Sequence, residues 1–180
     1  ECVVLGGKGS EGFFQSFHAS GVSNGVIGYR TSYREISKVL WDDLEKGRIN
    51  QAELKVDRFQ RLFLQHALDI DAEIFGHTYL DNLGKEVHLI DGVEKMIRGL
   101  SDFRLAVLTN GFANVQHARI GGSIFRDAFE AVITSEETGY QKPQIEIFEY
   151  TFEKLQIQDK TRVLMIGDSL SSDIQGGNNY

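Results

Sequence analysis

Arg162-Val163-Leu164-Met165-Ile166-Gly167-Asp168-Ser169-Leu170-Ser171-Ser172-Asp173 is the stretch whose reading decides the fold. Val163 to Ile166, led by Arg162, read as a buried strand, an apolar run bounded by a glycine. The chain breaks at Gly167 and presents Asp168 where the strand ends. Asp173 follows, early in the next helix. In an open α/β sheet, ligands bind outside the carboxyl ends of the strands, so Asp168 stands where chemistry is expected. A carboxylate there suits Mg²⁺, a hard ion that prefers oxygen.

Two earlier stretches share this design. Phe103-Arg104-Leu105-Ala106-Val107-Leu108 reads as a strand that ends in Thr109-Asn110-Gly111. Gly139-Tyr140-Gln141-Lys142-Pro143 puts a lysine in a loop just before a helix. A hydroxyl, an amide and an ammonium that converge on a magnesium carboxylate make a phosphate site, with donors for the oxygens and a cation for the charge.

Periodicity outlines the rest. Ile36, Val39, Leu40 and Leu44 predict a helix over 29–45 that stops at Gly47. Asn50 reads as an N-cap with Glu53 as its capping-box partner, opening a helix to about Ala67. Asp71 caps a third helix that carries Ile74, Phe75 and Tyr79. A helix is predicted over 93–100, another from about Phe112 to Gly121-Gly122, a strand over 131–133, and an amphipathic helix over 145–155. This alternation argues a parallel sheet with flanking helices.

The 180 residues are 41% hydrophobic and 25% charged, which is ordinary for a soluble globular chain. A net charge of −7 argues against a general nucleic-acid or membrane-surface binder. It leaves room for a phosphorylated small substrate, because Mg²⁺ and Lys142 can reverse the local field. The single cysteine, Cys2, makes an intrachain disulfide impossible, and the expected compartment is the cytoplasm. No apolar run is long enough to span a membrane, and the first residues do not read as a signal peptide.

Leu108-Thr109-Asn110-Gly111, then Lys142-Pro143, then Gly167-Asp168-Ser169 with Asp173, in this order, resemble motifs two, three and four of the haloacid dehalogenase (HAD) superfamily. Ser135-Glu136-Glu137-Thr138-Gly139-Tyr140-Gln141-Lys142-Pro143 resembles its pyrimidine 5′-nucleotidase branch. The resemblance covers roughly 29–180. It implies an α/β core over 92–180 and an inserted helical cap over 29–91. It also implies Mg²⁺-dependent hydrolysis of a phosphomonoester such as a nucleoside monophosphate. By the same resemblance, Thr109 donates to the phosphoryl oxygens, Asn110 shapes their pocket and Lys142 neutralises charge. Asp168 binds Mg²⁺, and Asp173 supports Lys142 or the metal shell.

Two departures stand beside it. The superfamily's first motif is a strand ending in Asp-x-Asp, and no aspartate precedes Asp42. Asp69-Ile70-Asp71 has the letters but follows a helical pattern, so Asp71 reads as a cap. Residues 1–28 form an atypical segment with seven of the nineteen glycines, and the C-terminus is short for the family. Gly7-Lys8-Gly9-Ser10-Glu11-Gly12 matches a dinucleotide fingerprint in form, but the helix and second strand that fingerprint needs do not follow. The expectation is therefore a phosphatase with impaired chemistry. The alternative is a HAD-like protein that holds phosphate or a nucleotide without hydrolysing it.

Overall fold

The structure is a computed structural model and describes residues 10–180. The first part of the Gly7–Gly12 run lies outside the described residues. The described residues fall into two compact units, 10–86 and 87–180.

The first unit is helical: α1 (Ser10–Ala19), α2 (Val26–Glu45), α3 (Gln51–Gln65) and α4 (Ala72–Lys85). Its boundaries follow local chemistry. Gly47, with φ at +68°, takes the left-handed conformation that stops α2. Asn50 and Glu53 form a reciprocal capping box: Glu53 N donates to Asn50 Oδ1 at 2.9 Å, and Asn50 N donates to Glu53 Oε2 at 2.7 Å. Asp71 Oδ1 accepts from Ile74 N at 2.8 Å, which makes it a helix cap, as its place in the sequence predicts.

α1 packs on α4, α2 on α3, and α3 on α4. The core between them is aromatic. Phe13, Phe17, Phe59, Phe63, Phe75 and Tyr79 are all buried. Phe75 packs against Phe17 at 4.7 Å and Phe59 at 4.9 Å between ring centroids. Edge-on pairs at this spacing add to the hydrophobic gain of burial. Phe13 and Phe17 come from the segment set apart by its glycine content, so α1 is part of this core. Arg58 is also buried: Nη1 donates to the Tyr33 hydroxyl at 3.3 Å, and the guanidinium lies over the Phe59 and Tyr79 rings. Burial, then the neighbouring Tyr33, pushes the Tyr79 hydroxyl well above the usual tyrosine pKa, so it stays neutral.

The second unit runs α5 (Val93–Gly99), β1 (Ala106–Thr109), α6 (Ala113–Gly121), β2 (Ala131–Thr134), α7 (Ser135–Thr138), α8 (Ile145–Lys154) and α9 (Gln175–Asn179), with a π-helical turn at Leu170–Ile174 before α9. β1 and β2 are parallel, with Val107 opposite Val132 and Thr109 opposite Thr134. Alternation along the strands divides the core in two. Val107 and Val132 pack with Val93, Ile97, Ile120 and Phe125. Leu108 and Ile133 pack with Ile147 and Phe148. At the strands' other end Arg104 makes a two-pronged pair with Glu130, at 2.7 and 2.6 Å.

Two strand expectations need correction. The ladder of β1 begins at Ala106, not Phe103, and Phe103 is 67% exposed. The run from Val163 to Ile166 is not in a sheet and not buried: Leu164 is 81% exposed. None of the described residues pairs with this run. Among the described residues β1 is hydrogen-bonded only to β2. A cavity of about 180 Å³ has Ala106, Val107 and Leu108 on one side and Leu164, Met165 and Ile166 among its other walls. An apolar run without a ladder partner has no sheet to join.

Candidate phosphate site

The carboxyl ends of β1 and β2 lie side by side at Thr109 and Thr134. The loop after β1 carries Asn110 and Gly111, and the chain after β2 reaches Lys142 through α7. Lys142 is the centre of the arrangement. Its side chain is 7% exposed and that of Asp173 4%. Nζ donates to Asp173 Oδ1 at 2.5 Å and to Leu108 O at 2.7 Å. An ammonium has three N–H donors, so one is left for a ligand.

Asn110 holds the same residue by its backbone. Lys142 N donates to Asn110 Oδ1 at 2.8 Å, and Asn110 Nδ2 donates to Lys142 O at 2.9 Å. Thr109 is flanked in the chain by these two Lys142 partners, Leu108 and Asn110. It is buried, and its Oγ1 accepts from Gly111 N at 3.0 Å. That bond uses a lone pair, so the hydroxyl proton remains available for donation.

Asp173 is engaged at both oxygens, since Oδ2 accepts from Ser169 N at 3.0 Å. Gly167 presses on it: a Cβ added there would lie 2.2 Å from Asp173 Oδ2, so only glycine fits. Asp168 sits between these two contacts and is exposed. It is the carboxylate of the set not committed to a protein partner among the described residues. Mg²⁺ commonly binds through one or two carboxylates plus substrate phosphates and keeps several waters, so this donor set fits it through Asp168. Among the described residues no cluster of three or more acidic, histidine or cysteine side chains forms a complete protein cage for a metal.

Direct bonds thus join Asn110, Lys142 and Asp173, and the chain holds Thr109 and Asp168 beside them. Sequence reasoning missed three contributors. Gln116 is buried against Gly111, where an added Cβ would lie 2.4 Å from its Nε2. Glu136 Oε2 accepts from Ala113 N at 2.8 Å. Glu137 pairs with His117 Nε2 at 2.8 Å and accepts from the Thr134 hydroxyl at 2.7 Å. Burial pushes the Glu137 carboxyl up, but the Thr134 and His117 bonds outweigh it and hold the group below its usual range. The repeated acidic pair at 136–137 was the available signal.

Comparison with known proteins identifies the family. A family model described as haloacid dehalogenase-like hydrolase matches residues 10–180. The match therefore begins before residue 29 and includes α1. The chain is similar to pyrimidine 5′-nucleotidase PynA of Streptococcus pneumoniae, 33% identical over 156 residues, covering 86% of this chain and 66% of that protein. It is similar to pyrimidine 5′-nucleotidase YjjG of Escherichia coli, 30% identical over 148 residues, covering 82% and 65%. The chain thus spans just under two thirds of these relatives. The crystal structure of the HAD-hydrolase YfnB of Bacillus subtilis, bound to magnesium, superposes with a TM-score of 0.89 at 30% identity, covering 98% of this chain and 80% of that one. By sequence, motif order and fold, the chain belongs to the haloacid dehalogenase-like hydrolases.

Proposed function

We propose that the site around Lys142 grips the phosphoryl group of a small phosphomonoester, with pyrimidine nucleoside monophosphates as the first candidates. The observation that carries this reading is the fixed ammonium of Lys142. It is buried, bonded to Asp173 and Leu108 O, and keeps one donor for an incoming oxygen. Thr109 adds a hydroxyl donor at the same strand end. Both groups are preorganised where negative charge accumulates during phosphoryl transfer. Of the two roles expected for Asp173, its bonds support that of holding Lys142. Asp168 is the residue that would hold Mg²⁺. When bound, Mg²⁺ would neutralise charge on the phosphoryl oxygens. The resemblance implies a cap over 29–91; the helical unit starts earlier, with α1, and ends at Glu86, and it is the part that would choose the substrate. Among the described residues no helix is long and apolar enough to cross a membrane.

Hydrolysis in this family begins with attack by the first aspartate of an Asp-x-Asp strand. These 180 residues contain no such strand before Asp42. Losing a nucleophile removes most of the chemistry by itself. The residues present supply phosphoryl binding, and turnover needs an aspartate that these 180 residues do not carry before Asp42. The test measures phosphate release from UMP and dTMP with Mg²⁺, by this chain and by one extended with an Asp-x-Asp strand. Thermal shifts with phosphate and each nucleotide are read in parallel. Stabilisation by phosphate, with turnover only in the extended chain, is expected. Robust turnover by the unextended chain would overturn the impairment. Absence of both stabilisation and rescue would overturn the site.

A further inference from the structure

The Ser135–Gly139 part of the third motif has no chemistry of its own in the proposed reaction, yet it makes specific bonds. α7 is a single turn following β2, capped by the Thr134 side chain, which accepts from Glu137 N at 3.3 Å. From this turn Glu136 and Glu137 both reach α6, the helix that follows Thr109-Asn110-Gly111. The α6 N-cap position is occupied by Phe112, which offers no side-chain acceptor. The first N–H of α6, that of Ala113, is satisfied by Glu136 instead, and a carboxylate there also suits the helix dipole. The tie spans the two loops that Asn110 joins from the other side, through its paired bonds to the Lys142 backbone.

We infer that Glu136 is a positioning residue of the phosphate site: its bond to Ala113 N locks the loop after β1 to the loop after β2, and so sets Thr109 and Asn110 against Lys142. This rests on the proposed reading of the site for its function, though not for its geometry. Glu136 is assigned no contact with the substrate. It acts through Ala113 on the loop, and through Asn110 on Lys142. The bond can be cut from either side. Glu136→Ala removes the acceptor. Ala113→Pro removes the donor at the first helical position, where proline is well tolerated and where Phe112 already has the extended backbone a following proline requires. Glu136→Gln keeps an acceptor.

The experiment uses the full 180-residue chain with two readouts. One is amide hydrogen exchange at Lys142 and Ile133; the other is affinity for inorganic phosphate with Mg²⁺. Glu136→Ala and Ala113→Pro should each speed Lys142 exchange and weaken phosphate binding by about tenfold, the scale of one charge-assisted bond, with Ile133 unchanged. Their double variant should be no worse than either alone, because both remove one interaction. Glu136→Gln should stay within about threefold of the unaltered chain, the remainder being the loss of charge assistance. Unchanged Lys142 exchange in both single variants would overturn the inference, leaving Glu136 a local cap. So would additive losses in the double variant. If the unaltered chain binds no phosphate, the site reading falls, and the exchange data alone still decide whether Glu136 positions the Lys142 loop.

Discussion

The two units of this chain hold themselves together in different ways. The unit over 10–86 is knit by rings, with Phe17, Phe59 and Phe75 fully buried and both Phe17 and Phe59 packed on Phe75. The unit over 87–180 has smaller, mostly aliphatic clusters on the two faces of the β1–β2 ladder. At the ends of its strands it relies on directed bonds among Lys142, Asp173, Asn110, Glu136 and Glu137. Apolar burial is tolerant of small shifts because it has no direction. Hydrogen-bonded ion pairs are not, and an unsatisfied partner is costly when buried. The difference teaches where chemistry can be built: in the unit whose geometry is set bond by bond.

The contrast can be broken most forcefully at Lys142. Lys142→Ala leaves Asp173 buried and unpaired, with an expected loss of about 3–5 kcal/mol in denaturant unfolding and loss of phosphate binding in calorimetry. Replacing both partners, Lys142→Met with Asp173→Leu, should recover most of the stability and none of the binding. Phe59→Ala should cost a similar amount, about 3–5 kcal/mol, by opening a cavity among the rings. Phosphate affinity below the unfolding transition should be unchanged. A loss of affinity there would show that the ring core also sets the site.

Gly167→Ala sharpens the same point with one methyl group. It would press on the Asp173 carboxylate, so a loss of about 1–3 kcal/mol is expected, accompanied by weaker phosphate binding. Asp71→Ala removes a helix cap in the ring-packed unit, for about 1 kcal/mol in unfolding and no change in phosphate affinity. Glu137 gives the smallest effect, a pH dependence. Its folded pKa is lowered, so its contribution is full above the ordinary glutamate value of about 4.3 and disappears as pH falls through the lower folded one. Thermal unfolding at pH 7 and in acid should show this slope, and Glu137→Gln should remove it.

Local signals were legible in the sequence, and relations between distant loops were not. Asn50, Glu53 and Asp71 act within three residues of themselves, so their capping roles can be read from spacing. Thr109 closes its strand as the break at Asn110-Gly111 implies. The Val163–Ile166 run shows the opposite. Its composition suits a strand, but a strand exists only with a neighbour, and none of the described residues pairs with it. The motif order brought Thr109, Lys142 and Asp168 to one expected site. It could not reveal that Asn110 spends its amide on the Lys142 backbone, or that Glu136 reaches Ala113, because each bond joins loops more than twenty residues apart.

The doubly bonded Lys142 has a consequence for affinity. A lysine on a solvated surface samples many rotamers and must surrender about 2 kcal/mol of side-chain freedom when it is fixed on a ligand. Here Leu108 O and Asp173 have already taken most of that freedom during folding. An arriving anion therefore meets a stationary charge, and more of the attraction between them survives as binding strength.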